Sequence, residues 1–296
     1  MTSAALTIAI PFYRGTDYLK LAIESVVAQE DPRWSLLVSD DGGRDQGVED
    51  LTRSYASTAI AYHQNPETLG IAPNWNRCLD LAATELVTIL HADDLLLPGY
   101  VGTMLALAGR YPDATALFCE AVIIDERGGK RFSFPDATKR LFRPPGDPVA
   151  LAGEGGLRAL MRGNFIMCPT LCYRRSALES RRFSESWRQC PDLELTTRLL
   201  MDGDTLVGSR HVGYAYRRHH AAVTALQTEN LLRFEEEIEL FDAVSDRAAG
   251  LGWKRAARTA RRKLIVRLHL LYRVLLDVVR LRPRRAFEKL QFLMTR

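Results

Sequence analysis

Four short apolar runs alternate with helix-like segments over the first hundred residues of the chain. The runs lie at 6–10, 34–38, 59–62 and 86–90. Strands that alternate with helices at this spacing predict a parallel sheet with helices packed against it. We therefore predict an α/β fold with a mostly parallel, Rossmann-like sheet, followed by a helical C-terminal region.

Polar side chains follow each of these runs, at the point where the predicted strand ends. They are Tyr13, Asp40, Asp41, Asn65, Asp93 and Asp94. Because the carboxyl ends of parallel strands meet at one edge of a sheet, and open α/β sheets bind ligands there, we expect these side chains to share a crevice.

The segment 90–98 carries two adjacent acids, Asp93 and Asp94, directly after the fourth apolar run. Hard oxygen ligands suit Mg²⁺ or Mn²⁺, and these ions suit diphosphates. We interpret the segment as the site of a metal-bound sugar nucleotide. The alternative is that the two acids only cap the turn that precedes Pro98 and Gly99.

The second half of the chain lacks the regular alternation. We predict a long strand at 114–124, a hairpin turn at Gly128–Gly129 and a strand at 168–173. The segment 135–156 is rich in proline, glycine and charge, which predicts a mobile excursion. A helix is expected from Pro191 to Met201, a strand at 205–216, and helices from about residue 224 onward.

The charge of the chain is unevenly distributed. Residues 251–296 contain 14 Lys or Arg and 2 Asp or Glu, whereas the preceding residues contain 26 basic and 34 acidic side chains. A strongly basic tail is attracted to anionic surfaces, whether lipid or nucleic acid. A nucleic-acid partner is disfavoured, because the tail has few aromatic residues between its charges beyond Tyr272 and Phe287.

One predicted helix of this tail has a narrow polar stripe on an otherwise apolar surface. The stripe consists of Arg262, His269, Arg273, Asp277, Arg280 and Arg284. An apolar arc that wide needs a partner or a membrane interface, and we favour an anionic membrane surface in contact with residues 251–296. The alternatives are that the helix packs on its own domain with solvated arginines, or that it joins copies of the chain in an oligomer.

Several classes of protein are disfavoured by what the sequence lacks. Five cysteines without a CxxC pair indicate neither a zinc site nor a disulfide scaffold, and a reducing cytoplasm is the simplest setting. No signal peptide or membrane span is expected. The absence of GxGxxG after the first strand and of GxxxxGK[ST] argues against a dehydrogenase and a P-loop enzyme.

Several motifs occur in one characteristic order along the chain. They are Ile10-Pro11-Phe12-Tyr13-Arg14, Ser39-Asp40-Asp41-Gly42-Gly43-Arg44-Asp45, Leu69-Gly70 with Asn76, His91-Ala92-Asp93-Asp94, Cys190-Pro191-Asp192 with Arg198, and Tyr216-Arg217-Arg218-His219. Over residues 6–220 the chain resembles inverting family 2 glycosyltransferases of the GT-A fold. Four residues depart from the family pattern, since Arg14 replaces an Asn, Trp75 an Arg, His91 an Asp and Pro191 a frequent Glu.

The resemblance implies roles for the matching residues. The residues implied to bind the nucleotide sugar are Pro11, Tyr13, Asp40, Asp41, Asn76, Arg77, His91, Ala92, Asp93 and Asp94. Of these, Tyr13 is expected under the base, and Asp40 or Asp41 is expected to accept hydrogen bonds from the base or ribose. Asp93, with His219 nearby, matches the acid that ligates Mn²⁺ or Mg²⁺, and Asp192 matches the catalytic base.

The resemblance also implies a division of the chain and a reaction. A GT-A domain is expected at 1–223, with a nucleotide-binding half at 1–100 and an acceptor half at 101–223, followed by a basic helical region at 224–296. The reaction is metal-dependent transfer of a sugar, with inversion, from a nucleotide diphosphate to a hydroxyl of a glycan or lipid-linked acceptor. A catalytically inactive sugar-nucleotide-binding relative remains the alternative. The expected location is the cytoplasm, and a peripheral position on the inner face of the cell membrane is the alternative.

Overall fold

The computed structural model describes residues 3–42, 46–219, 228 and 231–295. Within these residues the chain forms nine strands in one sheet. The strands are β1 (Leu6–Phe12), β2 (Trp34–Asp40), β3 (Ile60–Gln64), β4 (Leu86–Ile89), β5 (Leu95–Leu96), β6 (Ala114–Ile124), β7 (Val149–Ala152), β8 (Cys172–Arg174) and β9 (Thr205–Arg217).

Twelve helices are present among the same residues. They are α1 (Thr16–Val27), α2 (Gln46–Ser54), α3 (Ile71–Leu81), α4 (Tyr100–Arg110), α5 (Phe134–Arg140), α6 (Gly153–Gly163), α7 (Arg175–Leu178), α8 (Pro191–Met201), α9 (Leu232–Gly250), α10 (Lys254–Arg262), α11 (Leu264–Val279) and α12 (Pro283–Thr295). A single 3₁₀ turn covers Cys168–Thr170.

The strands lie in the order β3-β2-β1-β4-β8-β6-β9-β5, with β7 also paired to β9. The first four strands are parallel to one another, and β6 is parallel to β9. Strand β8 is antiparallel to both β4 and β6, and therefore joins the two halves of the sheet. The α/β fold class, with its sheet, flanking helices and C-terminal helices, is confirmed.

The first half of the fold follows directly from the apolar runs. Strand β1 is buried over almost its whole length, as expected for a parallel strand covered by helices on both faces. Helix α1 buries Leu19, Ile23 and Val26, which recur at helical spacing on one face. These strands end at one edge of the sheet, where the predicted site residues begin.

Two predictions for the second half are wrong. Residues 135–156 are not a structureless excursion, since they contain most of α5, all of β7 and the start of α6. Residues 168–173 do not form one strand, because Pro169 opens a 3₁₀ turn and only the following three residues pair in the sheet. The hairpin at Gly128–Gly129 is confirmed by hydrogen bonds between Asp125 and Gly129.

One continuous core links the sheet to the C-terminal helices. It includes Ala9 of β1, Leu195 of α8, Phe241 of α9 and Leu270 of α11. Among the described residues, no helix combines the length and the hydrophobicity that a membrane span requires. The division of the chain at residues 100 and 223 stays a prediction. Residues 43–45, which belong to a predicted motif, and residues 220–227, which include the predicted domain boundary, lie outside the described residues.

Candidate active site

Asp41, at the end of β2, organises the loop between β3 and α3. Its carboxylate accepts hydrogen bonds from Asn65 Nδ2 (2.9 Å) and from the backbone N–H groups of Leu69 (2.8 Å) and Gly70 (2.9 Å). The side chain is buried. Three donors to one buried carboxylate give Asp41 a structural role, and its predicted contact with the nucleotide stays a prediction.

Asp40 and Tyr13 lie beside this loop. Tyr62 donates its hydroxyl to Asp40 Oδ2 (2.7 Å), and the Gly42 backbone donates to Oδ1 (2.9 Å). Tyr13 follows β1 and its ring is 57% exposed, so it does not pack in the core. A Cβ on Gly42 would come within 2.0 Å of the Tyr13 carbonyl oxygen, and the close approach of the two loops therefore requires glycine.

Helix α3 supplies Asn76 and Arg77, which face different partners. Asn76 exchanges two hydrogen bonds with the backbone of Phe183 (2.9 and 2.8 Å), so its amide fastens α3 to the segment before α8. Arg77 lies 3.2–3.3 Å from the His63 ring nitrogen Nε2. Burial, and then the Arg77 charge, lower the pKa of His63, which suits a neutral ring that accepts from the guanidinium.

The two departures from the family pattern at positions 75 and 91 contact each other. The rings of Trp75 and His91 are stacked, with centroids 5.2 Å apart and planes 27° from parallel, and Phe183 contacts Trp75 edge-on. His91 Nε2 is buried without a hydrogen-bond partner, and burial lowers the pKa of the ring. A neutral imidazole with one free nitrogen is therefore presented beside Asp93.

Asp93 lies at the exposed end of the acidic stretch. His219 Nε2, which follows β9, is 2.9 Å from Asp93 Oδ2. Burial opposes ionisation of Asp93, but the hydrogen bond with His219 and the electrostatic effect of the nearby histidines outweigh it, and the pKa of Asp93 lies below its ordinary value. The structure thus brings together two residues that the sequence places 126 positions apart.

Asp94 points in the opposite direction, into the protein. The Tyr214 hydroxyl donates to its Oδ2 (2.9 Å) and the Arg217 backbone N–H to its Oδ1 (2.6 Å). Burial raises the pKa of Asp94 well above its ordinary value. Arg217, itself buried, donates from Nε to the Asp93 carbonyl oxygen (2.7 Å), so β9 holds both acids in place.

The donor set fits a divalent cation. Ligand atoms of His91, Asp93 and Asp94 lie within 4.8 Å of one another. Both oxygens of Asp94 already have donors, which leaves Asp93 with the imidazoles of His91 and His219. Carboxylate oxygen and imidazole nitrogen are acceptable ligands for Mn²⁺, and His91 Nδ1 lies 3.8 Å from Asp94 Oδ2 in this group.

Asp192 lies in the first turn of α8 and is partly buried. Burial raises the pKa of its carboxyl, and hydrogen bonding from the Leu193 backbone opposes this effect. A carboxylate with a raised pKa is a stronger base, whereas an acid in the first turn of a helix also stabilises the helix N-terminus. Both interpretations of Asp192 remain consistent with its position.

Cys168 lies close to Asp192. Burial, and then the charge and hydrogen bonding of Asp192, raise the pKa of the Cys168 thiol, and the charge of Asp94, the neighbour of Asp93, adds to this effect. Sequence reasoning did not identify Cys168, Tyr214 or Arg217 as parts of the site. Of the three, only Arg217 lies within one of the motifs, Tyr216-Arg217-Arg218-His219.

A separate surface cavity of ≈ 380 Å³ lies between α2 and β3. Its lining includes Glu49, Arg53 and Tyr62 and none of the predicted site residues. The cavity is therefore distinct from the region around Asp93.

The chain is similar in sequence to known glycosyltransferases. The chain is 27% identical over 187 residues to the GalNAc(5)-diNAcBac-PP-undecaprenol beta-1,3-glucosyltransferase of Campylobacter jejuni, covering 62% of this chain and 55% of that protein. It spans between 31% and 64% of the length of the first curated relatives that it matches.

Two solved structures share the fold. S. aureus TarS 1–349 in complex with UDP-GlcNAc superposes with a TM-score of 0.62 at 15% identity, covering 82% of this chain and 66% of that one. The mannosyltransferase PcManGT from Pyrobaculum calidifontis, in complex with GDP-Man and Mn²⁺, superposes with a TM-score of 0.61 at 14% identity, covering 99% and 88%. The profile of glycosyl transferase family 2 matches residues 7–181. The chain belongs to glycosyl transferase family 2.

Proposed function

We propose that the chain is a metal-dependent inverting glycosyltransferase that moves a sugar from a nucleotide diphosphate to a hydroxyl acceptor. The observation that carries this proposal is the 2.9 Å contact between Asp93 and His219, two matches to the family motifs that lie 126 positions apart in the sequence. The family assignment and the nucleotide-sugar complexes named for the structural neighbours support it.

The donor is proposed to bind along the edge where β1, β2 and β4 end. Tyr13 offers an exposed ring beside Pro11 for the base, and Asp40 lies next to it. The unpartnered Asn65 Oδ1 adds a buried acceptor at the same edge. Arg77 and the stretch His91 to Asp94, with Ala92 between the histidine and the acids, are proposed to face the diphosphate and sugar.

Asp93 and His219 would hold Mn²⁺ or Mg²⁺ in this scheme. When bound, the ion offsets the negative charge that develops on the departing diphosphate. Asp192 takes the proton of the acceptor hydroxyl as that oxygen attacks the sugar. A single base with no positioned nucleophile favours direct displacement, which inverts the anomeric centre.

The proposal is tested by a donor screen for nucleotide diphosphate release, with and without Mn²⁺, in the presence of candidate acceptors. Asp192→Asn should bind the donor normally and lose transfer by about 10²–10⁴-fold, the usual contribution of a general base. The matched control is Asp202→Asn, an exposed acid at the other end of α8, which should keep transfer within about twofold. Normal transfer by Asp192→Asn would remove the base assignment, and donor binding without turnover by the wild type would favour an inactive relative.

We also propose that residues 251–296 dock on an anionic membrane surface, where a lipid-linked or cell-surface glycan acceptor is presented. The outer face of α11 supports this proposal, because it exposes large apolar side chains while the inner face buries polar ones together with Ile265, Val266 and Leu270. The polar stripe members His269, Arg273 and Asp277 face inward, whereas Leu275 and Val279 are 60% and 72% exposed.

The surrounding surface has the charge that such docking needs. Most of the basic residues of the tail are exposed, including those of α10 and the residues that connect α11 to α12. Exposed apolar side chains flanked by arginines are typical of helices that lie in a membrane interface. The lipid-linked substrate in the name of the Campylobacter jejuni relative is consistent with this location.

A further inference from the structure

A cluster of five basic side chains lies between α5, the end of β9, and helices α9 and α11. It consists of Lys139, Arg218, Arg233, His269 and Arg273, and is called the basic cluster below. These side chains are close enough to repel one another. Burial, and then the charges of the other four, lower the pKa of His269 to about 2.

Among the described residues, the acids that contact the basic cluster neutralise only part of its charge. Asp136 accepts from Arg218 (2.8 and 3.1 Å), and Glu237 accepts from Arg233 (2.9 Å). Neither Lys139 nor Arg273 has a hydrogen bond or ion pair from its side chain to any residue that the structure describes. The pKa of Lys139 is lowered by burial and then by the Arg233 charge.

Two guanidinium nitrogens in the basic cluster are buried and have no acceptor within the described part of the chain. They are Nε of Arg218 and Nε of Arg273. A buried donor that has lost water and gained no partner is unfavourable. An anion with several oxygens would satisfy both donors and relieve the repulsion within the cluster.

The basic cluster adjoins both ends of the candidate active site. The charges of Lys139 and Arg233 act on Asp192, and they lower its pKa against the larger effect of burial. Arg218 precedes His219, which contacts Asp93. An anion bound in the cluster would therefore lie close to Asp192 as well as to the Asp93–His219 pair.

We propose that the basic cluster binds a phosphate group carried by the acceptor substrate, next to the base Asp192. This inference rests on the proposed transferase function and names the class of acceptor. Multiple fixed N–H donors match phosphate oxygens, and arginine binds them with defined geometry. An uncharged glycan would leave the excess charge of the cluster uncompensated.

An aromatic pair joins α5 to α11 next to the basic cluster. Phe134, the first residue of α5, stacks on Tyr272 with ring centroids 5.1 Å apart, and Phe134 is 52% exposed. Tyr272 is adjacent to Arg273 along α11. An acceptor with an alkyl chain attached to its phosphate would thus find apolar contacts beside its anionic group.

The test measures binding of decyl phosphate to the full-length chain by titration calorimetry, with glycerol 3-phosphate and uncharged decyl glucoside as companion ligands. Lys139→Gln and Arg273→Gln should each weaken decyl phosphate binding about tenfold, since one charge-assisted contact is lost in each. Both variants keep the Arg218–Asp136 and Arg233–Glu237 ion pairs, and a thermal melt verifies that each is folded. The matched control is Arg280→Gln, an exposed arginine of the same helix segment, which should bind like the wild type.

The outcomes separate this inference from the transferase function. Binding of both phosphates, weakened in the two variants, supports a site for phosphate itself, and binding of decyl phosphate alone supports a phosphate with an attached chain. Equal binding by wild type and variants, or equal binding of decyl glucoside, would overturn the inference. An equal loss of UDP or GDP binding in the variants would also overturn it, since the cluster would then serve the donor. A wild type that binds no nucleotide with Mn²⁺ would instead refute the proposed function.

Discussion

The role of Asp41 leads to a quantitative prediction about stability. Its carboxylate accepts three hydrogen bonds in a buried loop, from Asn65 and from the backbones of Leu69 and Gly70. Hydrogen bonds to a charged group contribute about 1.5–3 kcal/mol each, and partial relaxation recovers some of the loss. We expect Asp41→Ala to lower the free energy of unfolding by about 3–5 kcal/mol.

Asp41→Asn is the sharper variant, because it keeps the shape of the side chain. Oδ1 serves two of the three donors, and Oδ2 serves the Gly70 N–H at 2.9 Å. In either orientation of the new amide, its NH₂ group faces at least one backbone N–H, which cannot accept a hydrogen bond. The expected cost is about 2–3 kcal/mol, measured by denaturant unfolding.

The control for this prediction is Asp125→Asn. Asp125 Oδ1 also accepts two backbone N–H groups, from Arg127 and Gly129 at 2.9 Å, but in an exposed turn. Asp125→Asn should lower the free energy of unfolding by less than about 1 kcal/mol, since the amide oxygen can take the place of Oδ1 and water can hydrogen-bond to the NH₂ group. If Asp41→Asn unfolds like the wild type while donor affinity falls, Asp41 contacts the nucleotide and does not primarily hold the loop.

Three further predictions concern the C-terminal helices. Replacing Leu275 and Val279 together by Gln should weaken binding to anionic vesicles at least tenfold in a sedimentation assay, because two apolar side chains no longer enter the interface. Lys289→Met should lower the free energy of unfolding by about 3–5 kcal/mol in denaturant, since it leaves the buried Asp277, 2.6 Å from the lysine, without its partner. Replacing both residues, with Lys289→Met and Asp277→Leu, should leave the stability nearly unchanged. His269 stays neutral in the folded chain but takes up a proton near pH 6.5 when the chain is unfolded. Lowering the pH from 7 to 5 should therefore reduce the free energy of unfolding of the wild type by about 2 kcal/mol. The His269→Asn variant should not show this loss.

Each of these predictions has a distinct failure. Vesicle binding that persists in the double variant, or that falls equally in a Leu21→Gln control on exposed α1, would argue against docking through α11. If the single replacement and the double replacement of the Asp277–Lys289 pair destabilise the chain equally, the loss comes from altered packing and not from an unpaired buried charge. Identical pH profiles for wild type and His269→Asn would show that the histidine remains free to titrate.

The parts of the fold that could be predicted are those with a continuous local pattern. Strands β1, β2 and β4 are buried by helices on both faces, so their sequences are nearly uninterrupted apolar runs. Strands β5 and β8 have two and three residues, which is too short for any period to be visible. Strand β7 was missed because Pro148 and the glycines around it are typical of loops.

For the site, the sequence predicts which residues take part but not how their side chains are oriented. The acids could be found because they follow strands, but their orientations depend on partners that are remote in the sequence. Asp93 and Asp94 are neighbours, yet one contacts His219 and the other is enclosed by Tyr214 and Arg217. The stack of Trp75 on His91 likewise joins two residues that had been noted only as separate departures from the family pattern.

The apolar outer face of α11 has a consequence for how the chain would meet its acceptor. Leu275 and Val279 lie on this outer face, whereas His269 of the basic cluster lies on the inner face. The apolar face and the proposed anion site are therefore two sides of one helix. A chain seated on a leaflet through its outer side would encounter anchored acceptors by lateral diffusion. Turnover on vesicles should then follow the acceptor's surface density and not its bulk concentration, and detergent dilution at constant total acceptor should slow the reaction.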